Sequence, residues 1–566
     1  MVNRSGFVID FRAASPVSPT YFTPSFSRWE AVDGERVQAW CCGELLSYSA
    51  DGDTAACLAR ALQDYERASL DFCTLNGRFC LILHDKRTRE WQVITDRVGA
   101  LHVYRVMDGD RIVAVGSDLA TLTATCSRRE LDAQAIASFL SFGFFLDADT
   151  YFIDIKILEP HSIYRISPNG ELLEHRRYWT WHHTPDSGRS YAETVEEYDR
   201  LLRQAVRRCT AHGRVILPIS GGLDSRSLAA VMEPGATTQC YSYGYSAGSI
   251  ETWIAGQIAQ ARGFTFTAHV INPYLFGRLA EIARALHGSQ DVTQARQCSV
   301  NAWVRERADA VLTGLWGDVW CDQLGLADGL PEGATIAQHA LKRFQKRGRA
   351  WLLQHVAAPM LGLPDAAGIE AMLAEKVAAG CRTFERIADP DFQVKAYKTS
   401  RWAFRWSNAS LRGFELGATP RIPYYDVDLI DFFCTVPTAF VRDRRLQIDH
   451  LKQHAPEVAR IRWQAAGANL YLARYGRWLD LPRRAMRKAR RVVRRERAIQ
   501  RNWEVQFLNA EGKHQLETWL MRLAPDFAPA ERIRELLANF YQQPDAAHGY
   551  TVSMLLTLAG WRGACR

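Results

Sequence analysis

The sequence lacks the apolar segment that a membrane-spanning helix requires, because its 566 residues contain no run of about 18 apolar residues. Its first residues, Met1-Val2-Asn3-Arg4-Ser5, lack the apolar core of an export signal. None of the 13 cysteines forms a C-x-x-C pair or a zinc-like spacing. We therefore expect a cytoplasmic protein with reduced thiols and no membrane partner.

Charge is concentrated in one place. The net charge is +8. The range from Arg483 to Arg497 contains nine Lys or Arg residues, and Glu496 is its one acidic residue. This basic stretch is either a partner-binding patch or a solvated helix. Because no aromatic residues are interleaved with the charge, we expect no nucleic-acid partner. The length and the 47% hydrophobic content fit two or three globular domains.

The most informative stretch joins an apolar run, Val215 to Pro218, to the helical pattern Arg226 to Met232. The glycines in the connecting turn allow close backbone approach to an anion, and a helix N-terminus behind them favours phosphate. Asp224 would repel phosphate unless a divalent cation lies between them, which predicts Mg2+. We assign the following residues to this phosphate loop: Ile219, Ser220, Gly221, Gly222, Leu223, Asp224 and Ser225.

The phosphate loop resembles the pyrophosphate-binding loop of the ATP pyrophosphatase superfamily. That resemblance implies that ATP is split between its alpha and beta phosphates and that an oxygen of the substrate becomes adenylated. Its members differ in the group that attacks the adenylate.

Residues 1–185 are rich in predicted strands, including a hairpin of Gly77 to Asp85 with Glu90 to Asp96. The order of the segments Leu75 to Phe79, Asp96 to Gly99 and Leu158 to His161 resembles the amino-terminal half of asparagine synthetases. The resemblance implies a glutaminase-like domain of the N-terminal-nucleophile type, folded as an α-β-β-α sandwich.

Two differences from the asparagine synthetase family predict that this domain has no glutaminase activity. The family's nucleophile is a cysteine at position 2, where this chain has Val2, which carries neither thiol nor hydroxyl. The family's glutamine-holding Asn-Gly-Glu appears only as Cys42-Gly43-Glu44. Neither Cys41 nor Cys42 is expected to be nucleophilic, and we interpret the domain as a degenerate, retained scaffold.

A second domain, residues 190–566, begins where Ser190 and Glu193 match a helix capping box. Strands then alternate with helices, which predicts a doubly wound parallel sheet that binds ligands at the carboxyl ends of its strands. Tyr243, at the end of the second strand, is therefore assigned to the nucleotide site. The fold class is mixed α/β and α+β, and the chain is expected to end in a helical extension.

The stretch from Ala310 to Asp318 is again a strand followed by a glycine turn and a carboxylate. It is similar to the second ATP and metal motif of the asparagine synthetase family, which implies that Thr313 and Gly314 approach ATP and that Asp318 shares Mg2+ with Asp224. We call residues 313–318 the second motif. The later segment from Pro420 to Asp426 resembles the family's Arg-x-Pro-Phe-Leu-Asp segment.

Two positions of the second domain depart from the family. Leu315 occupies the position of a glutamate in asparagine synthetases and of a tyrosine in beta-lactam synthetases, and it cannot move a proton. The expected catalytic lysine falls at Gln464. Arg462 either stabilises the negative charge that develops on the phosphate or is an ordinary surface arginine.

An inactive glutaminase favours an amine that the substrate already carries. The pattern is closest to lasso-peptide macrolactam cyclases, which implies that an Asp or Glu side chain of a precursor peptide is adenylated and joined to the peptide's N-terminal amine, with a leader-peptide protease or recognition protein as a further partner. Other readings remain: a beta-lactam synthetase-like or other small-molecule amide ligase, an asparagine synthetase that uses free ammonia, a nucleic-acid enzyme, and a non-enzymatic scaffold. The sequence leaves the precursor, the ring size and the general base open.

Overall fold

The computed structural model describes residues 6–12, 18–22, 28–46, 53–126, 128–233, 238–475, 499–524 and 526–565. Val2 and the basic stretch from Arg483 to Arg497 lie outside the described residues, so the expectations placed on them stay predictions. Among the described residues, no helix combines the length and the apolar character needed to cross a membrane.

The first part of the chain forms two antiparallel sheets. Their strands are Gly6–Asp10 (β1), Thr20–Phe22 (β2), Trp29–Asp33 (β3), Val37–Leu45 (β4), Gly77–Asp85 (β5), Trp91–Thr95 (β6), Tyr104–Asp108 (β7), Arg111–Gly116 (β8), Ile155–Ile157 (β9), Ser162–Ile166 (β10) and Leu172–Arg177 (β11). One sheet has the order β2-β1-β8-β7-β9 and the other β11-β10-β6-β5-β4-β3. The predicted hairpin is present as β5 and β6, paired antiparallel.

Helices cover the outer faces of both sheets. Successive side chains of a strand point to opposite faces, and along β4 Cys42 lies in the apolar core between the sheets whereas Cys41 packs towards the helix Thr54–Glu66 (α1). Leu119–Thr123 (α2) and Ala133–Phe142 (α3) contribute to the core on the outer side of the other sheet. This layering confirms the predicted α-β-β-α sandwich.

The second part contains a parallel sheet of five strands. They are Val215–Pro218 (β12), Gln239–Gly244 (β13), Thr265–Val270 (β14), Ala310–Leu312 (β15) and Thr419–Arg421 (β16), in the order β14-β13-β12-β15-β16. All four pairings are parallel, as predicted. The chain builds outward from β12 to β14 and then returns to the other side of β12, so the carboxyl ends of β12 and β15 flank the position where ligands bind in such sheets.

The second part begins with the helix Tyr191–Thr210 (α4), and its predicted capping box is present. Ser190 Oγ accepts a hydrogen bond from Glu193 N at 3.2 Å, and the Glu193 carboxylate accepts one from Ser190 N at 2.8 Å. The later helices are Asp224–Val231 (α5), Ile250–Ala261 (α6), Leu279–Ala285 (α7), Asn301–Arg307 (α8), Gly317–Trp320 (α9), Ile336–Phe344 (α10), Arg349–Leu352 (α11), Ala358–Leu361 (α12), Ala367–Arg382 (α13), Pro390–Lys398 (α14), Asn408–Glu415 (α15), Val427–Phe433 (α16), Thr438–Val441 (α17), Arg445–His454 (α18), Pro456–Ala459 (α19), Asn502–Phe507 (α20), Ala510–Met521 (α21), Ala530–Gln542 (α22) and Ala546–Cys565 (α23). Leu353–Ala357 and Thr399–Ser407 are π-helical. The last four α-helices agree with the expected helical extension.

Buried ion pairs join the two parts of the chain. Arg421, the last residue of β16, donates to both carboxylate oxygens of Glu44 at 2.8 and 2.9 Å, and both side chains are 3% exposed. Arg78 Nη1 lies 2.5 Å from Glu415 Oε1. Burial raises the pKa of Glu44, but Arg421 and the nearby Arg28 outweigh it, and the net pKa lies below its usual value. Glu44, from the segment aligned with a glutamine-holding motif, is therefore engaged by the protein itself.

The thiols of the same region are not activated. Burial raises the pKa of Cys42 to about 12 and that of Cys41 well above its ordinary value. Since the thiolate is the nucleophile, these values agree with the expectation that neither cysteine reacts. All twelve cysteines whose side chains are described are free thiols.

Candidate functional site

The phosphate loop connects β12 to α5 at the switch of the parallel sheet. Ile219 and Leu223 are both 2% exposed and belong to the apolar core. They anchor the two ends of the loop; between them Ser220 and Gly222 are half-buried and Gly221 is buried. The sequence pattern of an apolar strand, a small-residue turn and a helix therefore produces the predicted geometry.

Two serines hold the loop in shape. Ser220 N donates to Ser225 Oγ at 3.0 Å, and the two hydroxyl oxygens are 3.1 Å apart. Gly222 N donates to Ser220 Oγ at 3.2 Å. Ser225 is buried in the first turn of α5 and stabilises the loop from behind.

The glycines are required by close packing, not by an unusual backbone conformation. A Cβ on Gly314 would lie 3.0 Å from Ser225 N, so this glycine lets the second motif pack directly against the phosphate loop. A Cβ on Gly221 would lie 2.2 Å from Gln464 Oε1. The structure therefore brings three distant segments to one place.

Asp224 begins α5 and is surrounded by polar groups from the C-terminal half. Arg444 donates to its Oδ1 and also to Gln447 Oε1, and Gln447 Nε2 lies 3.3 Å from the same carboxylate oxygen. The Tyr424 hydroxyl accepts from Gln447 Nε2 at 3.3 Å. Neither Arg444 nor Gln447 was predicted from the sequence, and both lie more than 200 residues from Asp224, which left no local signal for them.

Asp318 joins Asp224 in the same site. It lies in α9, and a Cβ on the preceding Gly317 would be 2.9 Å from Asp224 Cγ. Burial raises the pKa of Asp224; the Arg444 guanidinium lowers it, and the negative charge of Asp318 raises it further. Two carboxylates that disfavour each other's charge are a place where a bound cation lowers the free energy.

The residues present fit a magnesium ion. Mg2+ is commonly held by one or two carboxylates together with substrate phosphate oxygens, and Asp224 and Asp318 supply such a pair beside the phosphate loop. Thr313 is buried, and its hydroxyl has no hydrogen-bond partner among the residues that the structure describes. A buried hydroxyl left unpaired at this place is available to a ligand.

Tyr243 lies at the carboxyl end of β13, the strand next to β12. Burial raises the pKa of its hydroxyl, although Arg296 lowers it. The electrostatic interaction with the Tyr243 hydroxyl group in turn raises the pKa of Arg296 above its ordinary value. Tyr243 therefore stands at the predicted edge of the sheet, beside a cation that the sequence reasoning did not identify.

The segment that carries Arg462 and Gln464 lies over the phosphate loop. Arg226, which is fully buried in α5, donates to the carbonyl oxygens of Val458, Ile461 and Arg462 at 3.3, 2.9 and 2.6 Å. Gln464 N donates to Gly221 O at 3.2 Å. Arg462 is half-buried near the loop, and Arg226 is a positioning residue that the sequence reasoning missed.

Two family models match separate stretches of the chain. Residues 43–179 match the family model of a glutamine amidotransferase domain, and residues 197–319 match the asparagine synthase model. The chain is 24% identical over 329 residues to asparagine synthetase [glutamine-hydrolyzing] 1 of Bacillus subtilis (strain 168), covering 56% of this chain and 49% of that protein. The chain thus spans about half the length of this curated relative. These matches support an asparagine synthetase-like relationship.

Two solved structures are similar to this chain over less than half of its length. One is the glutamine phosphoribosylpyrophosphate amidotransferase from B. subtilis complexed with ADP and GMP, with 14% identity, a TM-score of 0.17, and coverage of 44% of this chain and 50% of that chain. The other is described as the allosteric regulatory enzyme of purine biosynthesis, with 12% identity, a TM-score of 0.18, and coverage of 43% and 62%.

Proposed function

We propose that this protein is an ATP- and Mg2+-dependent carbon–nitrogen ligase that forms AMP, and that its substrate is a peptide that it closes into a macrolactam. The observation that carries the ligase class is the convergence of Asp224 and Asp318 on the phosphate loop. The matches to the asparagine synthase model and to the Bacillus asparagine synthetase support the same class.

In this proposal the phosphate loop holds the pyrophosphate part of ATP, and Ser220, Gly221 and Gly222 provide the close backbone approach. Asp224 and Asp318 would hold Mg2+, which offsets negative charge on the phosphate oxygens. Arg444 favours the ionised form of Asp224. Arg462, on the segment held by Arg226, offsets charge that develops on the alpha phosphate.

The reaction then has two steps. A carboxylate oxygen of the peptide attacks the alpha phosphorus of ATP, and the bond to the leaving pyrophosphate breaks. The peptide's N-terminal amine attacks the carbonyl carbon of the acyl adenylate, AMP leaves, and the amine loses a proton. The product peptide is lighter by one water, and holding both ends of the peptide together supplies much of the rate increase.

The state of the first domain supports an amine acceptor other than ammonia from glutamine. Glu44 is bound by Arg421, the neighbouring Cys42 is buried among apolar residues, and residue 2 is valine. In the second domain, Leu315 and Gln464 replace the groups expected for aspartate or beta-lactam chemistry. The precursor peptide is therefore the proposed substrate, and a leader-peptide protease or recognition protein is a proposed partner.

A second candidate is a ligase that acts on a small acid. The Bacillus relative is an asparagine synthetase, which favours aspartate with free ammonia as the alternative, and a beta-lactam-type acid is a further one. In both cases adenylation at the phosphate loop is unchanged and only the acid and the amine differ.

The test is ATP–pyrophosphate exchange with purified protein, Mg2+ and three acids: aspartate, a carboxyethyl-arginine-type amino acid, and a leaderless peptide with an N-terminal glycine and an internal aspartate. Exchange only with the peptide, together with a product lighter by one water, is the expected result. Turnover of a small acid would replace the peptide proposal with the second candidate. Absence of ATP binding would overturn the ligase class.

A further inference from the structure

Two lysines and two tryptophans form a cluster beside the second motif. Lys398 Nζ lies 5.2 Å from the centroid of the Trp316 ring and 5.0 Å from that of Trp402. Lys346 Nζ lies 4.5 Å from the centroid of Trp402. The tryptophan faces therefore hold both ammonium groups by cation–π contacts. We call Lys346, Trp402, Lys398 and Trp316 the lysine–tryptophan cluster.

The cluster is fixed to the adenylation site through Trp316. This residue lies between Gly314 and Asp318, and its φ of +76° is an outlier for a bulky side chain. Its indole is 5% exposed, and Nε1 donates to Thr399 Oγ1 at 3.2 Å, at the start of the π-helical segment Thr399–Ser407. Such strain persists only where the surroundings fix it, and both strain and π-helical turns are frequent at functional sites.

Among the described residues, the carboxylates that act on the two ammonium groups, Asp318 on Lys398 and Asp291 on Lys346, lie beyond ion-pair distance. Neither forms an ion pair or a side-chain hydrogen bond within the described part of the chain, and both side chains are half-buried. Burial lowers the pKa of Lys398 to about 8; Asp318 raises it, whereas Arg343 and Lys346 lower it. A half-buried ammonium group that is held by ring faces and not by an ion pair still loses hydration, and an anionic ligand would offset that loss.

We propose that the lysine–tryptophan cluster binds the carboxylate of the acid that the enzyme adenylates, with Lys398 and Lys346 pairing with its oxygens. The inference rests on the proposed function and adds the place where the acid is recognised. A carboxylate is favoured over a phosphate because the phosphate loop already provides a separate cradle for phosphate. The resident cations also favour an acid over the corresponding amide.

The first test is independent of the peptide sequence and of catalysis. Lysine acetylation would be followed by mass spectrometry with the probe N-acetyl-aspartate methylamide, which presents an aspartyl side chain without other charges. We expect the acid probe to lower the labelling rates of Lys398 and Lys346 by about 3-fold or more, since tryptophan-held cations bind carboxylates directly. N-acetyl-asparagine methylamide should leave both rates unchanged.

Other outcomes of the labelling test would overturn the proposal. Equal protection by the acid and the amide would exclude carboxylate recognition. Stronger protection by pyrophosphate than by the acid would assign the cluster to the phosphates of ATP. Lys452, which is paired with Asp449 at 3.4 Å, is the internal control and should label at the same rate throughout.

The second test uses variants in ATP–pyrophosphate exchange with whichever acid turns over. Lys398→Met should raise KM for the acid by about 10-fold or more, while the Kd of a non-hydrolysable ATP analogue stays within about 2-fold. Lys398→Arg should recover most of the loss because it keeps the charge. Lys452→Met is the matched control, and Lys346→Met separates the two lysines.

These readouts separate the two proposals. If no acid supports exchange, the ligase proposal fails, whereas protection of Lys398 by the acid probe still decides the binding site. If exchange occurs and Lys398→Met changes only ATP binding, the ligase proposal stands and the carboxylate site is wrong. An unchanged KM with a folded Lys398→Met variant would likewise overturn it.

Discussion

Two regions of this molecule each place a carboxylate close to a buried strand and a glycine, but they differ in how that carboxylate is neutralised. At the end of β4, Glu44 is closed off by Arg421, and the cavity of about 20 Å3 beside it is lined by the chain's own charges. Beyond the end of β12, the negative charge of Asp318 raises the pKa of Asp224. The first region pairs its carboxylate with arginines alone. In the second region Asp224 is paired with Arg444 and also has a second carboxylate, Asp318, beside it, which leaves a pair of carboxylates to which a cation can bind.

This contrast distinguishes a scaffold from a working site. A buried ion pair between domains adds little net stability over apolar residues but is very costly to break. Glycines in a loop cost stability and are retained where another group must approach the backbone closely, as Gln464 approaches Gly221. We call the surroundings of Glu44 the closed region and those of Asp224 the open region. Variants in either region, or at the interface between the two parts of the chain, test this contrast.

The largest effect is expected from Asp224→Ala. Loss of this carboxylate removes one cation ligand and leaves Arg444 without its partner, so ATP–pyrophosphate exchange should fall by about 100-fold or more. The melting temperature should fall only modestly, because the Asp224 side chain is 24% exposed and its charge is itself disfavoured by burial and by Asp318. Full exchange activity in a folded variant would refute the site assignment, and Asp309→Ala, on the exposed carboxylate before β15, is the control.

Glu44→Ala breaks the closed region and should lower the free energy of unfolding by about 3 kcal/mol, because Arg421 is left buried without its partner. Chemical denaturation monitored by tryptophan fluorescence measures the change. The double variant Glu44→Leu with Arg421→Met should be less destabilised than Glu44→Ala, since it removes both charges. Equal losses in the two proteins would mean that packing, and not the unpaired cation, causes the effect.

Arg226→Met should lower kcat by about 10-fold, because displacement of catalytic groups by about 1 Å has effects of this order or larger. The variant loses three hydrogen bonds to the segment of Val458 to Arg462. Arg412→Met is the matched control, since Arg412 is likewise buried and donates to the carbonyl oxygens of Ala285 and Ser117, outside the phosphate loop and the segment over it. If both variants lose activity and stability in parallel, Arg226 has only a structural role.

The sequence predicted the parts of this site that follow from local patterns. The phosphate loop and the second motif each lie within one continuous stretch with its own strand-and-turn pattern, and the sandwich of the first domain was implied by the resemblance to asparagine synthetases. The partners of these stretches were not predictable, because Arg444 meets Asp224 across 220 residues and Arg421 meets Glu44 across 377. The lysine–tryptophan cluster was missed for the same reason.

The smallest effect is expected from acid at the interface between the two parts of the chain. Tyr104 OH and His287 Nδ1 are 2.8 Å apart, and the Asp118 carboxylate lies 3.5 Å from His287 Nε2. Burial lowers the pKa of His287 to about 3, with Arg412 adding to the decrease and Asp118 opposing it. Below a pH of about 6.5, His287 is protonated in the unfolded chain but stays neutral in the folded chain, so the free energy of unfolding should fall as the pH decreases.

The slope contributed by His287 should reach at most about 1.4 kcal/mol per pH unit, and it is measured as the difference in unfolding free energy between wild type and His287→Gln from pH 7 to pH 5. Other buried histidines titrate in both proteins and cancel in that difference. Glu44 contributes the same sign only below its unfolded pKa of about 4.3, outside this window. Parallel curves for the two proteins would show that His287 does not couple protonation to the interface between the two parts of the chain.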